Sequence, residues 1–275
     1  MQSMPVLVAP DAFRGALRAP KVAAAIGRGL ERAGVTPLPE LCPVASGATG
    51  TIEVLLPALG GETSDGFALI EDGATAIVEA SDSSRRTGEL LVSAAGTGAA
   101  VIVVAAGAGA CDDGGAGAVA EIERAGGLGG ATLVVLCDVR SAWMSGDTSA
   151  LRRDPRGVAM TAAGGGLAGA LWAQLDARLV AGAPFVLEAL DFDTRMRAAR
   201  AVIVGEGRLD RQTMAGRVTG EIATRARQSG VPCYAVAGER AIDRFDARIL
   251  DLQAVVEASS LQQLELAGEK LAEFL

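Results

Sequence analysis

The stretch AVIVGEGRLDRQT, residues 201–213, decides how the chain reads. Four apolar residues without polar alternation, stopped by glycine, describe a strand covered on both faces, the condition of an inner strand in a parallel sheet. Charge follows at once, with Glu206, Arg208 and Asp210 at alternate positions. In an open parallel sheet, ligands bind beyond the carboxyl ends of the strands, where these three residues stand. Left unpaired below the surface they would be costly, so they either pair with one another or meet a charged ligand. The sequence leaves both readings open.

Working outward, similar short apolar runs recur at 6–9, 41–44, 76–80, 101–106, 132–137, 233–238 and 252–258. Helical patterns lie between several of them. PKVAAAIGRGLERAG puts Val22, Ile26 and Leu30 on one face and turns Arg28, Glu31 and Arg32 outward, with Pro20 in a first turn and Gly34 as the stop. Further helices are predicted over 50–58, 115–125, 166–180, 217–229 and 260–273. Strand and helix alternate at both ends of the chain with short connections, which indicates α/β architecture built on a parallel, doubly wound sheet. Residues 62–98 are shorter-segmented and more polar, and suit a smaller inserted domain.

Composition narrows the function. The 275 residues are half apolar, with 36 glycines and few aromatics, so the core is aliphatic. A net charge of -8 works against nucleic-acid binding. The start is not a leader, and the longest apolar run, 99–110, is too short to span a bilayer, so a cytoplasmic protein without a membrane partner is expected. Four cysteines lie far apart without C-x-x-C spacing, which gives neither a disulfide framework nor a zinc site. The chain has no histidine, so imidazole bases and His-metal sites are excluded and acid–base work falls to carboxylates, Lys, Tyr or Cys.

The polar residues that follow apolar runs are Asp11, Phe13 and Arg14; Ser46 and Thr49; Asp112 and Asp113; Asp138; and Glu206, Arg208 and Asp210. Each has a plain structural reading beside the functional one. Asp11 is equally a turn residue or helix cap. CDDGGAGA, 111–118, is either a tight turn into a helix or a meeting of carboxylates and N–H groups suited to a magnesium-bound phosphate. GGGLAGAL, 164–171, opens a helix on three glycines, which attracts anions or simply permits close packing. It is not a P-loop. Trp143, Trp172 and Phe185 read as core or lid packing.

Taken together, VLVAPDAFRGAL, CPVASGATGT, CDDGGAGA, LCDV, AAGGGLAGAL, FVLEAL, GEGRLDRQTMAGRV and GVPCYAVAG occur in an order that resembles the glycerate kinase family, the bacterial type distinct from P-loop kinases. The resemblance implies a flavodoxin-like domain made from both chain ends, with a second α/β domain inserted between its second and third strands. The expected division is 1–62 with 143–275 for the first and 63–142 for a trimmed insert. It also implies a site in the cleft between the domains, ATP and Mg2+, and D-glycerate or a similar small hydroxy acid as substrate.

Carried over by position, the resemblance implies Asp138, Asp113 and Arg14 as catalytic residues, with Asp138 as the acid–base candidate. It implies substrate or phosphate binding by Asp11, Asp112, Gly114, Gly165, Gly166, Glu206, Arg208, Asp210 and Arg217, and leaves the metal ligands open, with Asp112 and Asp113 as metal or substrate-orienting candidates and Glu206 and Asp210 either holding Arg208 or helping to bind magnesium. The family has acidic residues where this chain has Ser46 and Thr49, and usually a Lys at Arg217. The alternative reading is therefore a glycerate-kinase fold that binds ligand, or regulates, without turnover.

Overall fold

The computed structural model describes residues 4–13, 17–107, 111–144, 149 and 151–275. Arg14 lies outside the described residues. The chain forms two compact units, Met1–Ala45 with Leu187–Leu275, and Ser46–Val186.

The first unit opens with β1 (Val6–Pro10), α1 (Ala19–Arg32) and β2 (Glu40–Leu41). The second contains α2 (Thr51–Leu59), β3 (Glu62–Ser64), β4 (Phe67–Ile70), β5 (Thr75–Glu79), α3 (Ser84–Gly96), β6 (Val101–Ala105), α4 (Ala116–Arg124), β7 (Thr132–Cys137), α5 (Leu167–Leu175) and β8 (Arg178–Ala181). Helix α6 (Gly182–Ala189) follows. The first unit then resumes with α7 (Phe192–Arg197), β9 (Ala201–Glu206), α8 (Arg211–Met214), α9 (Val218–Ser229), β10 (Cys233–Ala237), α10 (Arg244–Ile249), β11 (Leu252–Glu257) and α11 (Leu261–Ala272).

In the first unit five parallel strands run in the order β11-β10-β9-β1-β2. Renumbered within that unit, this is the 2-1-3-4-5 flavodoxin-like order, interrupted after its second strand. Strands β1, β9 and β10 are buried at every residue, as their unbroken apolar runs require. Val6, Val8, Ile203 and Val236 pack with Val22, Ile26 and Leu30 of α1 and with Leu264 and Leu271 of α11. The predicted 41–44 strand is shorter as assigned, but its bonding continues, since Cys42 N donates to Val8 O and Val44 N to Pro10 O.

The second unit holds a six-stranded mixed sheet in the order β3-β4-β5-β6-β7-β8, antiparallel through β5 and parallel from β5 to β8. Its boundaries are wider than 63–142. Strand β8 pairs with β7 and α5 packs on both, which draws in the segment after 142, while α2 packs on β4 and β5 and draws in residues before 63. The inserted unit is consequently no smaller than the other.

Local chemistry accounts for the other departures from the sequence. The helix expected over 166–180 stops at Leu175, because Asp176 turns left-handed at φ 55° and the chain re-enters the sheet as β8. Helix α3 falls in the polar stretch; Ser83 caps it, its hydroxyl accepting from Arg86 N at 3.3 Å, and Thr87, Leu90, Leu91 and Ala94 form its buried face.

Candidate active site

In the first unit, the carboxyl edge of the sheet gathers the charge that 201–213 presents. Glu206 is the last residue of β9 and only 5% exposed. One of its oxygens accepts from Arg217 Nη1 at 2.6 Å and the other from the Thr213 hydroxyl at 2.8 Å. Thr213 in turn accepts from Asp210 N at 3.1 Å, closing a capping box at α8 in which Asp210 also accepts from Gln212 N at 2.8 Å. Arg217 extends its fork to Gln212 Oε1 at 2.7 Å. Burial pushes the Glu206 carboxyl above its ordinary range, with Arg217 and then Thr213 pulling the other way.

Arg208 goes elsewhere. It is about half exposed and lies against two carboxylates, Asp210 at 3.4 Å and Glu239 at 3.1 Å. Asp11 sits one residue beyond the Pro10–Gly205 pair, its N–H donating to Gly205 O at 2.8 Å and its Oδ1 accepting from Ala12 N at 2.6 Å. Asp11, Glu206, Asp210 and Arg217 thus cluster at the ends of β1 and β9, where a parallel sheet binds its ligands.

In the second unit, the ends of β5 to β8 carry the other group. Asp113 bridges two helix starts. Its Oδ2 accepts from the Ser84 hydroxyl at 2.5 Å and from Gly117 N at 2.8 Å, and its Oδ1 from Gly115 N at 3.0 Å. Burial alone would raise this carboxyl, but the bonds from Ser84, Gly117, Gly115 and Cys111 outweigh it and hold the group below its ordinary range. Asp112 is exposed on the same turn.

Asp138 follows β7, with its carboxyl against Gly107. A Cβ built at Gly107 would lie 2.9 Å from Asp138 Oδ2 and 2.3 Å from the Ala48 methyl, so only glycine fits there. Glu79, at the end of β5, accepts from Gly50 N at 3.0 Å and Ile52 N at 2.8 Å, and so fixes the 46–50 loop at the start of α2.

The glycine turn and the acidic turn meet inside this unit. Cys111 Sγ lies 3.0 Å from Gly164 O, and Gly164, Gly165 and Gly166 all have positive φ. A Cβ on Gly114 or Gly166 would strike the Trp143 ring at 2.6 or 2.8 Å. Close packing under Trp143 therefore explains the glycines at these two positions without a ligand.

Glu79, Ser84 and Glu239 were not among the candidates read from sequence. Glu79 had a signal, since it ends an apolar run as Glu206 does. Glu239 had one too, since it directly follows the 233–238 run, whereas Ser84 had none, because its role depends on a partner 29 residues away. Among the described residues, no group of three or more His, Cys, Asp or Glu side chains is disposed to hold a metal ion, and no helix is long and apolar enough to cross a membrane.

Comparison with known proteins places the chain among relatives of one family. A model of the glycerate kinase family matches residues 6–82 and 140–273. A glycerate kinase of Halalkalibacterium halodurans is 28% identical over 322 aligned positions, covering 85% of each chain. The glycerate 2-kinase of Escherichia coli is 27% identical, covering 86% of this chain and 85% of its own. A crystal structure from Salmonella typhimurium LT2, described as a candidate glycerate kinase 2, superposes with a TM-score of 0.73 over 99% of this chain and 98% of its own, at 21% identity, which speaks to the fold alone. With matches to the family model on both sides of the insertion, the chain belongs to the glycerate kinase family.

Proposed function

We propose that this chain transfers the γ-phosphoryl group of ATP to a hydroxyl of D-glycerate. Family membership supports the reaction class, and one structural observation supports the site: in both sheets carboxylates stand at the carboxyl ends of parallel strands, joined by arginines in the first. In the reaction the glycerate oxygen forms a bond to the γ-phosphorus, the bond from phosphorus to the bridging oxygen breaks, and ADP leaves with its electron pair. The hydroxyl proton passes to a carboxylate, for which Asp138 is the candidate.

Asp138 suits that role because a strand end and the Gly107 contact fix its position. Asp113 keeps the acidic turn in shape, since both its oxygens already accept hydrogen bonds. Magnesium typically engages one or two carboxylates together with substrate phosphates rather than an all-protein cage, and Asp112 and Asp138 would meet that modest demand. The ion would neutralise charge on the transferring phosphoryl. Arginine at the edge of β9 would bind an anionic group of either substrate.

A second reading, ligand binding without turnover, draws support from Ser46 and Thr49, which stand where the resemblance expects acids, and from the commitment of Asp113 and Arg208 to internal partners. Following ADP release with D-glycerate, ATP and magnesium separates the two. Glycerate-dependent turnover that falls at least a hundredfold in Asp138→Asn supports the kinase. Binding of either ligand with no turnover by the wild type supports the second reading, and binding of neither removes both.

A further inference from the structure

We infer that Trp143 is the stacking surface for the base of the nucleotide. That role rests on the proposed function for the presence of a nucleotide, and it adds a contact that neither the strand-end charges nor the glycine turns supply. It does not rest on turnover.

The indole is held from two sides. Its backbone N–H donates to Thr161 Oγ1 at 2.9 Å, and Thr161, with no exposed surface, donates its hydroxyl to Val158 O at 2.7 Å. Met160 N donates to Arg140 O at 3.1 Å and Ala162 N to Ser141 O at 3.2 Å, so the chain leading from Asp138 to Trp143 is laced to residues 160–162. The ring itself lies on the backbone of two turns, since a Cβ on Gly114 would come 2.6 Å from its Cζ2 and one on Gly166 2.8 Å from its Cε2. Backbone supports of this kind preorganise the ring and cut the entropy lost when a ligand settles on it.

Pinned in this way, the ring is still not sealed into the core. Trp143 is half-buried, whereas Phe67 and Phe192 are buried. A buried tryptophan N–H usually finds an acceptor, yet among the described residues nothing accepts the N–H of this indole, so that edge faces outward. The other indole, Trp172, already has a partner, with the Arg153 guanidinium 4.3 Å from its ring centre.

The neighbours of Trp143 set the ligand class. Gly114, under the ring, directly follows Asp112 and Asp113, and Asp138 begins the segment that ends in Trp143. A flat apolar ring beside carboxylates suits a molecule that joins a flat base to metal-bound phosphates. Stacking engages the face of a base and reads none of its edges, so ATP and GTP should depend on Trp143 alike.

The test has a spectroscopic arm and a binding arm, both on the full chain. Trp172→Phe leaves Trp143 as the single indole. With magnesium present, ATP should quench its emission and inorganic tripolyphosphate should not. By calorimetry, Trp143→Leu, which keeps an apolar cover over the two glycines, should weaken ATP and GTP about tenfold and leave tripolyphosphate and D-glycerate within twofold of the wild type. Trp143→Phe should restore most of the nucleotide affinity. A purely structural defect would weaken all four ligands together, and thermal melting checks the fold. If Trp143→Leu does not fold, the quenching arm decides. ATP binding without quenching, wild-type ATP affinity in Trp143→Leu, or an equal loss for tripolyphosphate would overturn the role of Trp143. Should any of these accompany glycerate phosphorylation, the proposed function stands without it. Quenching and a nucleotide-only loss in a chain without turnover would uphold the role while removing the kinase activity. No ATP binding by the wild type would remove both.

Discussion

Glu206 shows how much one residue at a strand end controls. Its carboxylate compensates Arg217 and takes the Thr213 hydroxyl, so truncation leaves a partly buried cation and a hydroxyl without their acceptor. Glu206→Ala should cost roughly 3 kcal/mol, read from the urea midpoint, because a largely buried cation deprived of its carboxylate, and not the missing bond, sets the loss. The double variant Glu206→Leu with Arg217→Met should regain most of that stability, since it removes the stranded charge. The sequence showed that the charges of 205–213 had to pair or meet a ligand. It did not show that Glu206 would choose Arg217 and leave Arg208 to Asp210 and Glu239, because that choice depends on how α8 turns the chain back over the strand.

At the scale of elements, helix ends and helix crossings decide stability. Asp113 accepts from two N–H groups at the start of α4, and Asp113→Ala should lower stability by about 1 kcal/mol, the usual value of a lost cap. Its carboxyl is depressed in the folded chain, so its contribution is present above the unfolded carboxylate range and is lost as pH falls through the lower folded value. The difference in melting temperature between wild type and Asp113→Ala should therefore shrink as pH falls below the ordinary carboxylate range.

Helices α1 and α11 cross closely enough that a Cβ on Gly268 would lie 2.3 Å from Ile26 O, and one on Gly29 would lie 1.9 Å from Glu265 O. In an isolated helix, alanine in place of glycine would gain about 1 kcal/mol. Here the obstacle is backbone, which cannot rotate away, so Gly268→Ala should destabilise by roughly 1–3 kcal/mol in urea. Both helices were legible from their apolar spacing, whereas the crossing was not, since spacing names a face and not the face it meets. Helix α3 escaped notice for a related reason. Its buried side contains threonine and alanine, residues that read as polar or neutral until a sheet covers them.

For the molecule as a whole, each unit has its own aliphatic core and two of the four cysteines. Cys42 and Cys233 belong to the first, Cys111 and Cys137 to the second, and all four are buried. Burial pushes their thiols up to about 11 for Cys42 and Cys111 and about 12 for Cys137 and Cys233. A thiol-specific chromogenic reagent at pH 8 should leave all four unreacted in the native protein and titrate all four in denaturant, because the thiolate is the reacting species. Rapid reaction of any one in the native protein would contradict this packing.

The sequence by itself determined the α/β class, the unbroken burial of β1, β9 and β10, and the places along the chain where charge meets strand ends. Those features are local, written in runs of a few residues whose burial and termination follow from side-chain chemistry. Only the tertiary structure decided the strand order, the assignment of residues 46–62 and 143–186 to the second unit, and which carboxylate holds which guanidinium. Strand pairing and ion pairing join residues far apart in the chain, and their energies depend on geometry that no short stretch encodes.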